Sequence, residues 1–327
     1  MATTTAPLLE LDKLSAHYVT ARGTRVVRAV DEVSLTLRPG ETLGVVGESG
    51  SGKTTLALTI LRLLPPAARI VSGSMRFGGE DLLAKSTTEM RKIRGKRIAM
   101  ILQDPMASLN PLFTVGDQIA EGVRVHEGAT RRSAWQRAGG LLKAVKIPAA
   151  TQRLGEYPHQ MSGGMRQRIV GAIAISCEPQ LLIADEPTTS LDVTIQAQYL
   201  KLLRDIQRER GLALIFITHN LGIVARMCDS VAVMYAGRVI ESGPVRRIFN
   251  APAHPYTQAL IESIPRMDGS LERLTAIDGQ PPDLATLPRG CSFQVRCPRV
   301  VDRCREEAPP VFDIGAGHTA RCWVAKP

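Results

Sequence analysis

The stretch formed by Gly47, Glu48, Ser49, Gly50, Ser51, Gly52, Lys53 and Thr54 restricts this chain more than any other. It spells G-x-x-x-x-G-K-T between a short apolar run, Leu43 to Val46, and a helical pattern from Thr54 to Leu64 that Pro65 and Pro66 stop. Strand, loop and helix in that order form the setting in which glycines turn successive backbone N–H groups inward around an anion. With no Cβ in the way the backbone reaches phosphate oxygens, and the helix N-terminus adds partial positive charge. In such a loop the Lys53 ammonium bridges the β- and γ-phosphates of a nucleoside triphosphate and the Thr54 hydroxyl ligates Mg²⁺. Upstream, residues 31–47 alternate apolar and polar before running apolar, which predicts a hairpin feeding a buried strand.

Further along, Ile98 to Leu102 is another short apolar run, followed by a loop-rich stretch and helical pattern through about Val145. Met165 to Cys177 reads as a helix entered through Ser162, Gly163 and Gly164. Leu181 to Ala184 reads as a strand buried on both faces, Val193 to Arg210 as a helix ended by Gly211, and Leu212 to Thr218 as the next buried strand. Strands alternating with helices imply an α/β protein with a mainly parallel sheet covered by helices. No internal repeat is present, so the chain holds one nucleotide cassette.

The run Leu181 to Ala184 ends in Asp185 and Glu186. A carboxylate at the carboxyl end of a buried parallel strand lies where open α/β sheets bind ligands, so Asp185 is placed to hold Mg²⁺ through its water shell. Glu186 is then aimed at the water beyond the γ-phosphate, as a general base. Ser162, Gly163 and Gly164 at a helix start form a second anion site that the first loop does not need, so one chain carries two halves of a site. Gln103 and His219 each follow a buried strand, positioned for the γ-phosphate or its water.

Composition sets the outer limits. With 44% apolar and 22% charged residues the chain is an ordinary globular sequence, and no apolar run approaches the roughly 18 residues of a membrane span. The N-terminus lacks a basic patch followed by an apolar core, which predicts no secretory signal and cytoplasmic residence. The formal charge of +10 lies entirely before residue 251. Between Lys85 and Lys143 eleven basic residues face five acidic ones, an excess that suits nucleic acid, anionic lipid, an acidic partner or merely a solvated helical face.

The tail is a unit of its own, with ten of the 21 prolines and four of the six cysteines. Cys291, Cys297, Cys304 and Cys322 are spaced C-x5-C-x6-C-x17-C. Disulfides are disfavoured in a reducing cytosol, and the spacing matches neither paired structural-zinc thiolates nor ferredoxin runs. Four thiolates around one unnamed metal is the local reading, since a Pro-rich segment with little apolar content has few other means to fold. Cys177 and Cys228 sit in apolar helical surroundings and read as buried structural thiols.

In order and spacing these motifs resemble the ATP-binding cassette ATPases of membrane transporters over residues 8 to 250. The resemblance implies a P-loop NTPase: a RecA-like core with a parallel sheet, an antiparallel β subdomain, a helical signature subdomain at about 90–165, and a nucleotide-binding domain over 1–250. It implies two cassettes sandwiching two ATP molecules, each between the phosphate loop of one and Ser162 to Gly164 of the other. By the same likeness Tyr18 stacks on adenine, Thr55 joins the phosphate contacts, and Gln103 is an Mg²⁺ ligand and sensor toward the membrane subunit. Ser190 to Asp192 communicates across the dimer, and His219 is the γ-phosphate switch. Met161 and Met165 stand where many cassettes have Leu and Gln, and Asn220 where Asp is usual.

A finer resemblance, to the ATPase subunits of dipeptide, oligopeptide and nickel importers, rests on four segments and the cysteine-bearing tail. The segments are QDPMASLNP at 103–111, YPHQMSGGMRQR at 157–168, ADEPTTSLDVTIQAQ at 184–198 and HPYTQAL at 254–260. It implies a small irregular Cys-rich C-terminal domain over 251–327 with a [4Fe-4S] cluster at the four cysteines. Its implied partners are a second, different ATPase, two transmembrane permeases and, indirectly, an extracytoplasmic solute-binding protein, at the cytoplasmic face of the membrane. The solute is a peptide, or alternatively nickel or another small solute. A soluble cassette acting on nucleic acid or ribosomes is the reading from another class, disfavoured because about 130 residues without heptads separate Lys53 from Asp185.

Overall fold

The computed structural model describes residues 6–20, 23–104, 108–189, 191–264 and 277–325. They form two compact units, one made of residues up to 83 together with 216 onward, the other of residues 84–215.

The first unit opens with β1 (Leu9–Val19) and β2 (Val26–Leu37), then β3 (Thr42–Val46), α1 (Lys53–Ile60), β4 (Ala68–Phe77) and β5 (Glu80–Asp81). An antiparallel sheet of order β2-β1-β4-β5 buries Leu9, Leu11, Leu14, Val33, Leu35, Met75 and Phe77. β2 and β3 do not form the expected hairpin. β2 pairs with β1, whereas β3 pairs in parallel with a late strand, so the turn at Pro39 and Gly40 carries the chain from one sheet to another. All five residues of β3 are buried, as the apolar run demanded. α1 stops at Ile60 rather than Leu64, because the chain turns left-handed at Arg62 (φ 51°) ahead of the prolines.

The second unit contains α2 (Thr87–Ile93), β6 (Ile98–Ile101), α3 (Val115–Glu127), α4 (Arg131–Ala144), the single turn α5 (Ala150–Arg153), α6 (Gly163–Ala174), β7 (Leu181–Asp185) and α7 (Val193–Arg210). The helical pattern expected up to Val145 is two helices, parted where Gly128 turns left-handed (φ 67°) and the Thr130 hydroxyl caps α4. Ser162 caps α6, which therefore starts at Gly163, ahead of Met165, and ends at Ala174. α7 spans the expected residues, with Asp192 accepting from Thr194 and Ile195 at its start and Gly211 left-handed at its end (φ 61°). β6 and β7 run parallel with Ile98 against Leu181 and Ile101 against Ala184.

Within β8 (Ala213–Ile217) the chain returns to the first unit, which is completed by α8 (Leu221–Met227), β9 (Ser230–Tyr235), β10 (Arg238–Pro244), α9 (Val245–Asn250), α10 (Pro255–Glu262), α11 (Asp302–Glu306), β11 (Phe312–Gly315) and β12 (His318–Ala320). In its second sheet β11, β12, β10, β9 and β3 lie side by side in that order, with β8 next to β3. The Pro-rich tail does have a packed core. Tyr235, Tyr256 and Phe293 meet ring to ring at 4.6, 5.3 and 5.4 Å among Val46, Val233, Ile240 and Ile248. Phe293 and the few other apolar residues of the tail thus insert into a core shared with β9, β10 and α10. Buried Glu241 ties this region together, accepting from the amides of Ala253 (2.6 Å) and His254 (2.9 Å) and lying 2.7 Å from His318 Nε2.

Candidate functional site

β3 delivers the chain into the expected phosphate loop. Two of its glycines are required by geometry: Gly47 (φ 153°) and Gly52 (φ 102°) place their hydrogens where a Cβ would collide with the carbonyls of Met234 and Ala29. The Lys53 side chain is buried inside the loop and its ammonium donates to the carbonyls of Gly47 (2.8 Å) and Glu48 (2.9 Å) and to Ser51 Oγ (3.4 Å). Ser49, Gly50 and Thr54 face solvent. Tyr18, half-buried on β1, sits with its hydroxyl 3.4 Å from Thr55 Oγ1, so the expected adenine platform stands beside the first turn of α1. Thr218 donates from its amide to Val45 O (3.2 Å), which brings His219 to the strand end from which the loop departs. The Asn220 side chain caps α8, accepting from Ile223 N at 3.3 Å.

Glu48 behaves differently from its neighbours. Its amide, expected among the phosphate donors, goes to the Tyr256 hydroxyl at 2.9 Å. Its carboxylate takes both arms of the Arg296 guanidinium, at 2.8 and 3.0 Å. Gly237 N donates to Ser51 O at 3.0 Å. Three elements remote in sequence therefore grip the loop, and none carried a local motif that announced it. Only the HPYTQAL segment that starts α10 was visible beforehand.

In the second unit the parallel register does the positioning. Ile101 opposite Ala184 places Gln103 opposite Glu186 two residues on, and Gln103 Nε2 lies 3.5 Å from Glu186 Oε2. Thr189, a residue the sequence did not single out, donates from Oγ1 to the same oxygen at 2.9 Å. Glu186 is held in the left-handed region (φ 44°), so the backbone turns sharply between buried Asp185 and the loop that follows. Ser162 and Gly163 are exposed at the N-terminus of α6, where first-turn amides face solvent. Asp192 spends its carboxylate on the cap of α7. Ser190 and residues 105–107 lie outside the described residues.

The four tail cysteines are all free thiols, Cys304 and Cys322 buried and the other two half-buried. Burial pushes the Cys291 thiol up to about 11 and raises Cys297 and Cys322, with the neighbouring sulfurs adding to the effect. Among the described residues no group of three or more His, Cys, Asp or Glu side chains is arranged to hold a metal. The metal centre expected at these cysteines is therefore not displayed: Cys291 and Cys297 pack against the cluster that contains Phe293, and the Cys291 amide donates to Cys304 O at 2.7 Å. Cys177 is buried as expected, while Cys228 is only partly so, packed beside Gly44. No helix among the described residues is long and apolar enough to cross a membrane.

Comparison with known proteins bears on this geometry. Residues 30–189 match the family described as ABC transporter, and residues 240–304 match that described as oligopeptide/dipeptide transporter, C-terminal region. A Brucella abortus protein named as a peptide import ATP-binding protein is 48% identical over 318 residues, 97% of this chain and 95% of that one. The peptide ABC transporter ATP-binding protein y4tR of Sinorhizobium fredii is 50% identical over 318 residues, 97% and 94% of the two chains. Among solved structures, cbiO1 of Clostridium perfringens, part of the ABC transporter complex cbiONQ, superposes with a TM-score of 0.64 at 28% identity, covering 75% of this chain and 91% of that one. The ATP-binding cassette MJ0796, dimeric and bound to ADP and Pi, shares the fold with a TM-score of 0.65 at 24% identity over 73% of this chain and 99% of that one. The chain belongs to the ATP-binding subunits of ABC transporters, in the branch that carries the oligopeptide/dipeptide C-terminal region, and is an ATPase.

Proposed function

We propose that this ATPase is the motor of an importer for di- and oligopeptides, docked on the cytoplasmic face of the membrane against two permease subunits. The observation that carries the reading is that relatives named for peptide import (48% identical) and for peptide ABC transport (50% identical) each match over 97% of the chain, cassette and C-terminal region together. The domain division is a nucleotide-binding domain over 1–250 and a C-terminal domain over 251–327.

In this reading Lys53 exchanges the loop carbonyls for β- and γ-phosphate oxygens, Tyr18 stacks on adenine, and amides of Ser49 through Thr55 receive the phosphates. Thr54, Gln103 and Asp185 offer hydroxyl, amide and carboxylate oxygens, the hard donor set that suits Mg²⁺, which would offset charge on the phosphates. Glu186, steadied by Gln103 and Thr189, accepts the proton of the attacking water, and His219 senses the γ-phosphate. Ser162, Gly163 and Gly164 complete the site of an opposing cassette, the second member of a heterodimer, while Asp192 lies on the path between the two. Peptide arrives from an extracytoplasmic binding protein.

The four cysteines are proposed to gather a [4Fe-4S] cluster, which requires their sulfurs to draw inward. Support comes from all four being free thiols and from the sulfurs of Cys304, Cys322 and Cys297 lying close enough to Cys291 to help raise its pKa. The decisive experiment is Glu186→Gln. ATP binding is expected to persist while hydrolysis falls at least about a hundredfold, and turnover at the wild-type rate overturns the assignment of the base.

A further inference from the structure

The phosphate loop carries a negative charge of its own. Glu48 is its second residue, its side chain is 26% exposed, and a bare carboxylate so close to a polyphosphate opposes the binding of ATP. Arg296 meets it with a two-armed fork, Nη1 to Oε2 at 2.8 Å and Nη2 to Oε1 at 3.0 Å, from a side chain only 4% exposed. The rest of the guanidinium is fixed: Nε donates to Asp278 O (2.9 Å), Nη2 to Ile277 O (3.2 Å) and Nη1 to the Tyr235 hydroxyl (3.3 Å). Its own amide donates to Phe293 O at 3.0 Å within the turn between Cys291 and Cys297. A cation this fully constrained, contributed from 248 positions away, is aimed at one carboxylate.

We propose that Arg296 is a positioning residue that masks the charge of Glu48 and, with the Tyr256 hydroxyl on the Glu48 amide, sets the phosphate loop for ATP. The C-terminal region thereby tunes nucleotide affinity from outside the loop. The inference rests on the reading of Gly47 to Thr54 as the phosphate site. It differs from a purely structural role for the fork in one respect: removing both charges restores affinity, whereas removing only the cation does not.

The test uses the full chain, with equilibrium binding of a fluorescent ATP analogue in Mg²⁺ and steady-state hydrolysis of ATP. Arg296→Gln is expected to raise Kd and KM about tenfold, with kcat within about twofold of wild type, because an uncovered carboxylate repels the ground state and the transition state alike. Arg296→Gln combined with Glu48→Gln is expected to return within about twofold of wild type. The single-variant deficit is expected to shrink as salt rises from about 50 to about 500 mM, as screening demands. Arg296→Lys, which keeps the charge and loses the fork, retains most of the affinity. Should Arg296→Gln fail to fold, Glu48→Gln carries the test: affinity at or above wild type supports the mask, and a tenfold loss overturns it. A double variant as weak as Arg296→Gln, or Arg296→Gln at wild-type affinity, also overturns it. A wild-type chain that binds no analogue instead overturns the phosphate-site reading beneath it.

Discussion

Acid is expected to destabilise this protein through one buried imidazole. His254 starts α10, and its Nδ1 accepts the amide of Tyr256 at 3.0 Å, so the ring caps the helix only while that nitrogen keeps its lone pair. Burial, helped by the positive charge of Arg299, pushes its pKa down to about 3 from an ordinary 6.5. Below pH 6.5 the unfolded chain therefore takes up a proton that the folded chain refuses, and stability that is complete above 6.5 drains away as the pH falls toward 3. Between pH 7.5 and pH 5 the loss from this one group is about 2 kcal/mol, at 1.36 kcal/mol for each pH unit below 6.5. His254→Asn isolates it, because an asparagine oxygen accepts the same amide and does not titrate. Urea unfolding of both proteins at the two pH values gives the comparison, with the carboxylate of Glu241 and the guanidinium of Arg299 present in each. The wild type is expected to lose about 2 kcal/mol more than the variant on acidification; equal losses refute the reasoning.

Two more outcomes follow from the C-terminal region. Glu241→Ala strands the amides of Ala253 and buried His254 together with the His318 ring and should cost about 3–5 kcal/mol in thermal or urea unfolding, while Glu241→Gln, which keeps an acceptor, costs less. Protein purified without air should carry a brown chromophore with about four irons per chain, and Cys297→Ser should abolish both; stoichiometric zinc in the wild type overturns the iron assignment.

What could be read from the residues alone was whatever is written locally. α7 was legible to the residue from the helical spacing of its leucines and from Gly211 at its end, and the Asp192 cap at its start agrees with that reading. Gln103 and Glu186 were legible as separate candidates, and their meeting follows from the register of β6 and β7, which needs only that two short apolar runs lie side by side in parallel. The turn at Pro39 and Gly40 misled because the same residues serve a chain that reverses beside itself and one that leaves for another sheet. Long-range partners were the blind spot. Nothing near Glu48 points to Arg296 or Tyr256, and nothing near His254 points to the Glu241 carboxylate, because these contacts are chosen by how the tail seats in the core formed by Tyr235 and Val233.

The left-handed backbone at Glu186 has an evolutionary corollary. An L-residue with a Cβ held there costs on the order of 1–2 kcal/mol, and glycine or asparagine in its place would relax the turn. Mutational drift toward sturdiness alone would thus erode this position along with other non-glycine left-handed positions such as Arg62 and Ala236. At Glu186, unlike those positions, a relaxing glycine would also remove the proposed base, so on that proposal a sturdier descendant bearing glycine there would mark a cassette retired from burning ATP.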